Sequence, residues 1–430
     1  MASTTRWLIH AESRNVYISS TCVFVRANAN TGSLNMFALI LLSATLTFHG
    51  CLTHEAASST RDVNATIPLQ AEPLAVHALT LPVVYPINTT YNVTLMKPLP
   101  ECNGKKVGVY VWGHQHWNSP NSTFMLHLTG ANARKFTCGD IFINVADYSS
   151  AESISGRGFL LPFLINARRA GNRAVIWLTY GDIAKRDVVA CRKFVDTFYE
   201  WLLSIPVEWL DVIKPIGLSF DIEHFPNGAI EEILIYAQRR KNEVSPKLLP
   251  DGFFIQCMIE GQPKPLDTDI VMRHADRALM MAYRNYLTKP TDPTGMDNGM
   301  MRRLQYMFKD QCTRCLDDEY AVRNYKAKIT IMVETSCNLG ASCGYVSFCA
   351  ADANRPAGGV EYLVDHLDQI DSKLVSSGLM TKDQRNRLIS STSPFAVHDW
   401  DWFQCFYQDS NDTNHLCKNY STYAAACRAQ

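Results

Sequence analysis

Eight short apolar runs recur after Lys106, and they constrain the fold more than any other feature of the chain. They are 107–112 (VGVYVW), 141–146 (IFINVA), 174–180 (AVIWLTY), 216–223 (IGLSFDIE), 252–259 (GFFIQCMI), 278–283 (ALMMAY), 329–334 (ITIMVE) and 395–402 (FAVHDWDW). Their hydrophobicity is continuous rather than alternating, as expected of parallel strands buried on both faces. Helical patterns lie between them. Ala190, Phe194, Phe198, Trp201 and Leu202 form one apolar stripe. Ile230, Ile233, Leu234 and Ala237 form a second behind Asn227 as N-cap, and Val360, Leu363, Val364, Leu367, Ile370 and Leu374 a third. Gly171, just before the third run, is the expected helix C-cap. Strands alternating with helices in this number predict an α/β fold, a (β/α)8 TIM barrel over 106–403. An open doubly wound sheet is the alternative, but no Gly-rich phosphate loop supports it.

The flanks point to export. The segment 36–48 (MFALILLSATLTF) has the length of a signal-peptide core and is short for a membrane span. Met36 is read as the working start, with a type II signal anchor as the alternative. Of 14 cysteines, Cys22 and Cys51 precede or border this segment. The rest form an even set: Cys102, Cys138, Cys191, Cys257, Cys312, Cys315, Cys337, Cys343, Cys349, Cys405, Cys417 and Cys427. Glycosylation sequons begin at Asn64, Asn88, Asn92, Asn121, Asn411 and Asn419, all in segments read as loop or tail. Disulfides persist in oxidising compartments, so both signals agree on secretion. The expected organisation is an extension with signal peptide or anchor (1–52), a weakly structured glycosylated lead-in (53–105), the barrel (106–403) and a Cys-rich C-terminal tail (404–430). The Cys312-Thr-Arg-Cys315 stretch is read as disulfide-forming rather than zinc-binding, with its neighbours clamping loops around the seventh strand. With 41 basic and 41 acidic residues the chain advertises no nucleic-acid partner; a membrane enters only if 36–52 remains as an anchor.

Active sites of such barrels lie at the C-terminal strand ends. Those ends carry His114, His116, Trp117, Asp147, Tyr180, Asp182, Asp221, Glu223, Glu260, Tyr283, Arg284, Glu334, His398, Asp399, Trp400, Asp401 and Trp402. Aromatic rings stack on apolar sugar faces and carboxylates hold hydroxyls or move protons, so the mixture suits a carbohydrate. The fourth strand is the sharpest item. Alternation gives Ser219, Asp221 and Glu223 one face, with the two carboxylates about 6–7 Å apart. Repulsion and desolvation in such a pair keep one carboxyl protonated as a general acid.

GLSFDIE resembles the fourth-strand signature of family 18 glycoside hydrolases, the chitinases and endo-N-acetylglucosaminidases. Met281-Ala282-Tyr283 resembles their sixth-strand Met-x-Tyr, and Trp400 or Trp402 their last-strand Trp. The resemblance implies Glu223 as the acid, Asp221 orienting a 2-acetamido group, and Tyr283 hydrogen-bonding it in a substrate-assisted reaction without an enzymic nucleophile or cofactor. Ile216 and Ser219 stand where the signature is acidic, and Arg284 where an Asp follows the Tyr.

Other readings remain open. Glu334 could serve as nucleophile opposite Glu223 in a two-carboxylate retaining hydrolase, or pair with Arg284. Arg284, His398, Asp399, Trp400, Trp402, Trp112 and Tyr180 are the expected substrate contacts. A non-catalytic carbohydrate-binding barrel is the alternative from another class. A metal-dependent hydrolase using Asp221, Glu223, Glu334, His398, Asp399, His114 and His116 is a third, without an H-E-x-x-H run to support it; the preferred reading has no metal.

Overall fold

All eight expected strands form, and they close on themselves. In the structure, a computed structural model, residues 95–146, 158–181, 188–221, 228–248, 252–260, 265–283, 299–335, 348 and 359–406 are described. The chain divides into two units, Met1–His77 and Ala78–Gln430, and every described residue belongs to the second. The strands are β1 (Val107–Val111), β2 (Ile141–Ala146), β3 (Ile176–Gly181), β4 (Ile216–Asp221), β5 (Phe253–Ile259), β6 (Arg277–Met281), β7 (Lys328–Glu334) and β8 (Phe395–His398). Each pairs in parallel with the next, and β1 pairs with β8 from Val107↔Phe395 to Val109↔Val397. This is the (β/α)8 TIM barrel.

Helices follow the strands: α1 (Thr123–Thr129) and α2 (Ala131–Phe136), α3 (Leu160–Arg169), α4 (Val188–Ser204) and α5 (Val207–Ile213), then α6 (Ala229–Leu248) and α7 (Pro265–His274). Next come α8 (Met300–Tyr306), α9 (Asp318–Asn324), α10 (Gly359–Ser376), α11 (Lys382–Leu388) and α12 (Trp400–Phe403). The stripes on α6 and α10 are buried as the periodicity requires, and so is that on α4 except for the partly buried Ala190. Gly171 sits past the end of α3 at φ 87°, its N–H on the Arg168 carbonyl. Asn227 lies outside the described residues.

The eighth run is shorter as a strand than the sequence suggests. β8 stops at His398, and Asp399 caps α12 by accepting from the Trp402 N–H at 3.3 Å. Trp400, Asp401 and Trp402 are therefore helical, not strand, residues. The end of the lead-in is also more ordered than its composition implies. Leu99 N–H donates to the Arg169 carbonyl, Met96 N–H to Asn166 Oδ1, and a Cys102–Cys138 disulfide ties the segment to the turn before β2. Cys312 and Cys315 pair with each other ahead of β7, and Cys405 is also disulfide-bonded. Cys191 and Cys257 are buried free thiols, whereas Cys337, Cys343, Cys349, Cys417 and Cys427 lie outside the described residues.

Inside the barrel, residues of alternate parity make a separate core of Tyr110, Phe142, Val175, Trp177, Met258, Leu279, Met281, Tyr283, Met332 and Ala396. Its base is polar but satisfied. Asp140 is fully buried and accepts from Trp177 Nε1 at 2.9 Å and Val175 N at 3.2 Å. Gly217 is glycine because a Cβ there would lie 2.3 Å from the Trp177 ring. Beside it, buried Arg168 donates to the carbonyls of Ile213, Asn172, Ala174 and Pro215, tying α3 to the loops that enter β3 and β4.

Candidate active site

From that base an aromatic ladder climbs toward the C-terminal mouth. Phe142 stacks on Trp177 with centroids 6.3 Å apart, and Tyr110 on Phe142 at 5.8 Å. Tyr110 meets Trp112 at 4.8 Å, and Trp112 lies edge-on to His398 at 6.1 Å. Tyr283 stacks on His398 at 5.4 Å with planes 19° apart. One arc of the mouth, from the end of β6 through β7 and β8 to β1, is thus built of Tyr283, Glu334, His398 and Trp112.

Hydrogen bonds fix this arc. Glu334, fully buried, accepts from Thr335 N–H on Oε1 at 2.9 Å and faces His398 Nδ1 with Oε2 at 2.7 Å. Trp112 Nε1 donates to His398 Nε2 at 2.6 Å. An indole N–H can only donate, so His398 Nε2 is an acceptor and Nδ1 carries the proton given to Glu334. Glu334 is therefore engaged on both oxygens. Beside it, desolvation, reinforced by the Glu334 and Asp401 carboxylates, raises the Asp399 carboxyl to about 7.

The opposite arc is polar. Register aligns Asn144 of β2 with Thr179 of β3, Thr179 with Ser219 of β4, and Ser219 with Gln256 of β5. All four are buried, and Ser219 Oγ donates to Gln256 Oε1 at 2.8 Å. Among the described residues, Asn144 Oδ1, Thr179 Oγ1 and Gln256 Nε2 have no hydrogen-bond partner. Asp221, 1% exposed, stands one step above Ser219 on the same face, at the end of β4.

Not every expected contact reaches this mouth. Tyr180 has the opposite parity and stacks on Phe194 of α4 at 4.8 Å, within the helix-side core. Trp400 is buried against Phe124 and His127 and donates to Thr123 Oγ1 at 3.0 Å, so its indole knits α12 to α1. Trp402 is also buried. His116 pairs with Asp401 and contacts Thr123 Oγ1 at 3.1 Å, joining the loops after β1 and β8 rather than meeting Glu334. Glu260 is half-buried at the end of β5. Among the described residues no group of three His, Cys, Asp or Glu side chains could hold a metal ion. Glu223 and Arg284 lie outside the described residues. Tyr110 and Gln256 were absent from the expected site; shared parity with Trp112 marks the first, while the pairing of Gln256 with Ser219 needs the strand register.

No family model and no curated protein matches the chain. Solved structures are similar to it at low identity. The xylanase and α-amylase inhibitor protein of Scadoxus multiflorus is 10% identical at a TM-score of 0.37, over 76% of this chain and 99% of that one. Concanavalin B is 12% identical at 0.37, over 76% and 99%. A GH18 chitinase from Cycas revoluta in complex with (GlcNAc)3 is 10% identical at 0.35, over 56% and 73%. These likenesses add no catalytic assignment.

No helix among the described residues is long and apolar enough to cross a membrane.

Proposed function

We propose that the barrel mouth binds a glycan and hydrolyses a glycosidic bond, with Glu223 as general acid and Asp221 assisting. The observation that carries this reading is Asp221 itself: a buried carboxylate at the end of β4, facing an interior whose other arc is aromatic. A carboxylate held at the mouth of the barrel over a row of neutral polar side chains can orient a polar substrate group there. Glu223 follows two residues on in the sequence. We assign Glu334 to holding His398, through Oε2, rather than to nucleophilic attack. A substrate-assisted reaction on a 2-acetamido sugar fits better, with Tyr283 beside the acetamido group. The disulfides Cys102–Cys138 and Cys312–Cys315 suit an exported protein.

A second reading, a carbohydrate-binding barrel without catalysis, is favoured by one observation. The position below Asp221 is the neutral Ser219, bonded to Gln256, not a second carboxylate. A screen of fluorogenic aryl glycosides, N-acetylglucosaminides included, separates the two. The enzyme reading predicts hydrolysis by wild type that falls by about 10²–10⁴-fold in Glu223→Gln while sugar binding persists. Binding of (GlcNAc)3 with no hydrolysis of any glycoside by wild type supports the binder and sinks the enzyme.

A further inference from the structure

We infer that His398 and Glu334 are positioning residues that lock the indole of Trp112 as a stacking platform for the apolar face of a pyranose ring. The ligand class rests on the function proposed above; the lock itself does not.

Three adjacent strands build it. Glu334 ends β7, His398 ends β8 directly beside it in register, and Trp112 follows β1, the next strand of the ring. The chain of donors runs one way. Trp112 Nε1–H donates to His398 Nε2, and His398 Nδ1–H donates to Glu334 Oε2. Glu334 is held in turn by the Thr335 N–H on its second oxygen. The stacked Tyr283 fixes the plane of the imidazole, and Tyr110 packs against the indole. Tyr110, Tyr283, His398 and Glu334 are buried, whereas Trp112 is only half-buried. Trp112 is therefore the ladder member with surface left to offer a ligand. An indole fixed before binding loses little side-chain freedom on contact, which is how preorganisation raises affinity.

The polarity of the chain makes a residue-specific prediction. Only an acceptor at the Nε2 position satisfies the indole N–H, and only an acceptor at Oε2 keeps the imidazole proton on Nδ1. His398→Leu removes the acceptor, whereas His398→Gln can return one through Oε1. In Glu334→Gln one end of the side-chain amide must set its N–H groups against either the Thr335 N–H or the imidazole Nδ1–H.

The test follows the indole N–H resonance of Trp112, assigned by its loss in Trp112→Phe, together with (GlcNAc)3 affinity by calorimetry. The resonance should move upfield in His398→Leu and return toward the wild-type position in His398→Gln, with an intermediate shift in Glu334→Gln. Affinity should follow the same order, about tenfold weaker in His398→Leu. Circular dichroism establishes folding of each variant, and Glu334→Gln, which should shift the resonance, carries the comparison if the leucine variant does not fold. A resonance unmoved in His398→Leu, or in Glu334→Gln where the leucine variant does not fold, overturns the lock, whatever binds. A moved resonance with no (GlcNAc)3 bound by wild type upholds the lock and overturns the sugar reading of the mouth.

Discussion

The two ends of the barrel treat buried charge in opposite ways. At the base, Asp140 accepts from two fixed donors and Arg168 donates to four backbone carbonyls, so each group closes a structural joint. At the mouth, Asp221 caps a neutral polar row, and the Glu334–His398 pair is spent on orienting a half-buried indole. The base can therefore be judged by stability alone. The mouth must be judged by binding and chemistry.

The largest expected effect comes from Arg168→Met. It takes a donor from the buried carbonyls of Ile213, Asn172 and Ala174 and from the partly buried Pro215 carbonyl, and should destabilise the fold by about 3–5 kcal/mol in denaturant unfolding. A change below about 1 kcal/mol would mean that the joint is not structural and would blur the contrast between the ends.

Asp140 supplies the next effect, and its sign is opposite to that of a salt-bridged carboxylate. Burial outweighs its Trp177 and Val175 hydrogen bonds and raises the carboxyl to about 6. Between pH ~4 and ~6 the folded state keeps a proton that the unfolded state has released, so stability declines as pH rises through this window and levels off above it. The decline should be about 3 kcal/mol and absent in Asp140→Asn. A profile rising with pH at this group would contradict the desolvated base.

The smallest effect lies in the polar row. Thr179 Oγ1 is buried without a partner among the described residues, so Thr179→Val should leave stability unchanged or raise it by about 1 kcal/mol. A loss beyond that amount would show that this hydroxyl is bonded and that the row is structural, as the base is.

The sequence was legible where one physical signal dominated. The eight apolar runs and the stripes on α6 and α10 followed from burial, and Gly171 from the need for positive φ. Parity was the weak point. A strand buried on both faces has apolar residues on each, so nothing in 174–180 distinguishes inward Trp177 from outward Tyr180. At 395–402 the apolar pattern hid a strand-to-helix change, although Asp399 three residues before Trp402 is an N-cap signal. Partners across the barrel were harder still. Glu334 meets His398, and Ser219 meets Gln256, through strand register, which a linear reading does not contain.

The separation of the two ends is tested most directly by measuring glycoside hydrolysis and unfolding midpoint on the same preparations of wild type, Asp221→Asn and Glu223→Gln. Both variants should lose at least about 10²-fold in hydrolysis. Their midpoints should stay within about 2 °C of wild type. Full hydrolysis by both variants, or activity lost only in step with unfolding, would contradict a mouth built for chemistry on a base built for stability.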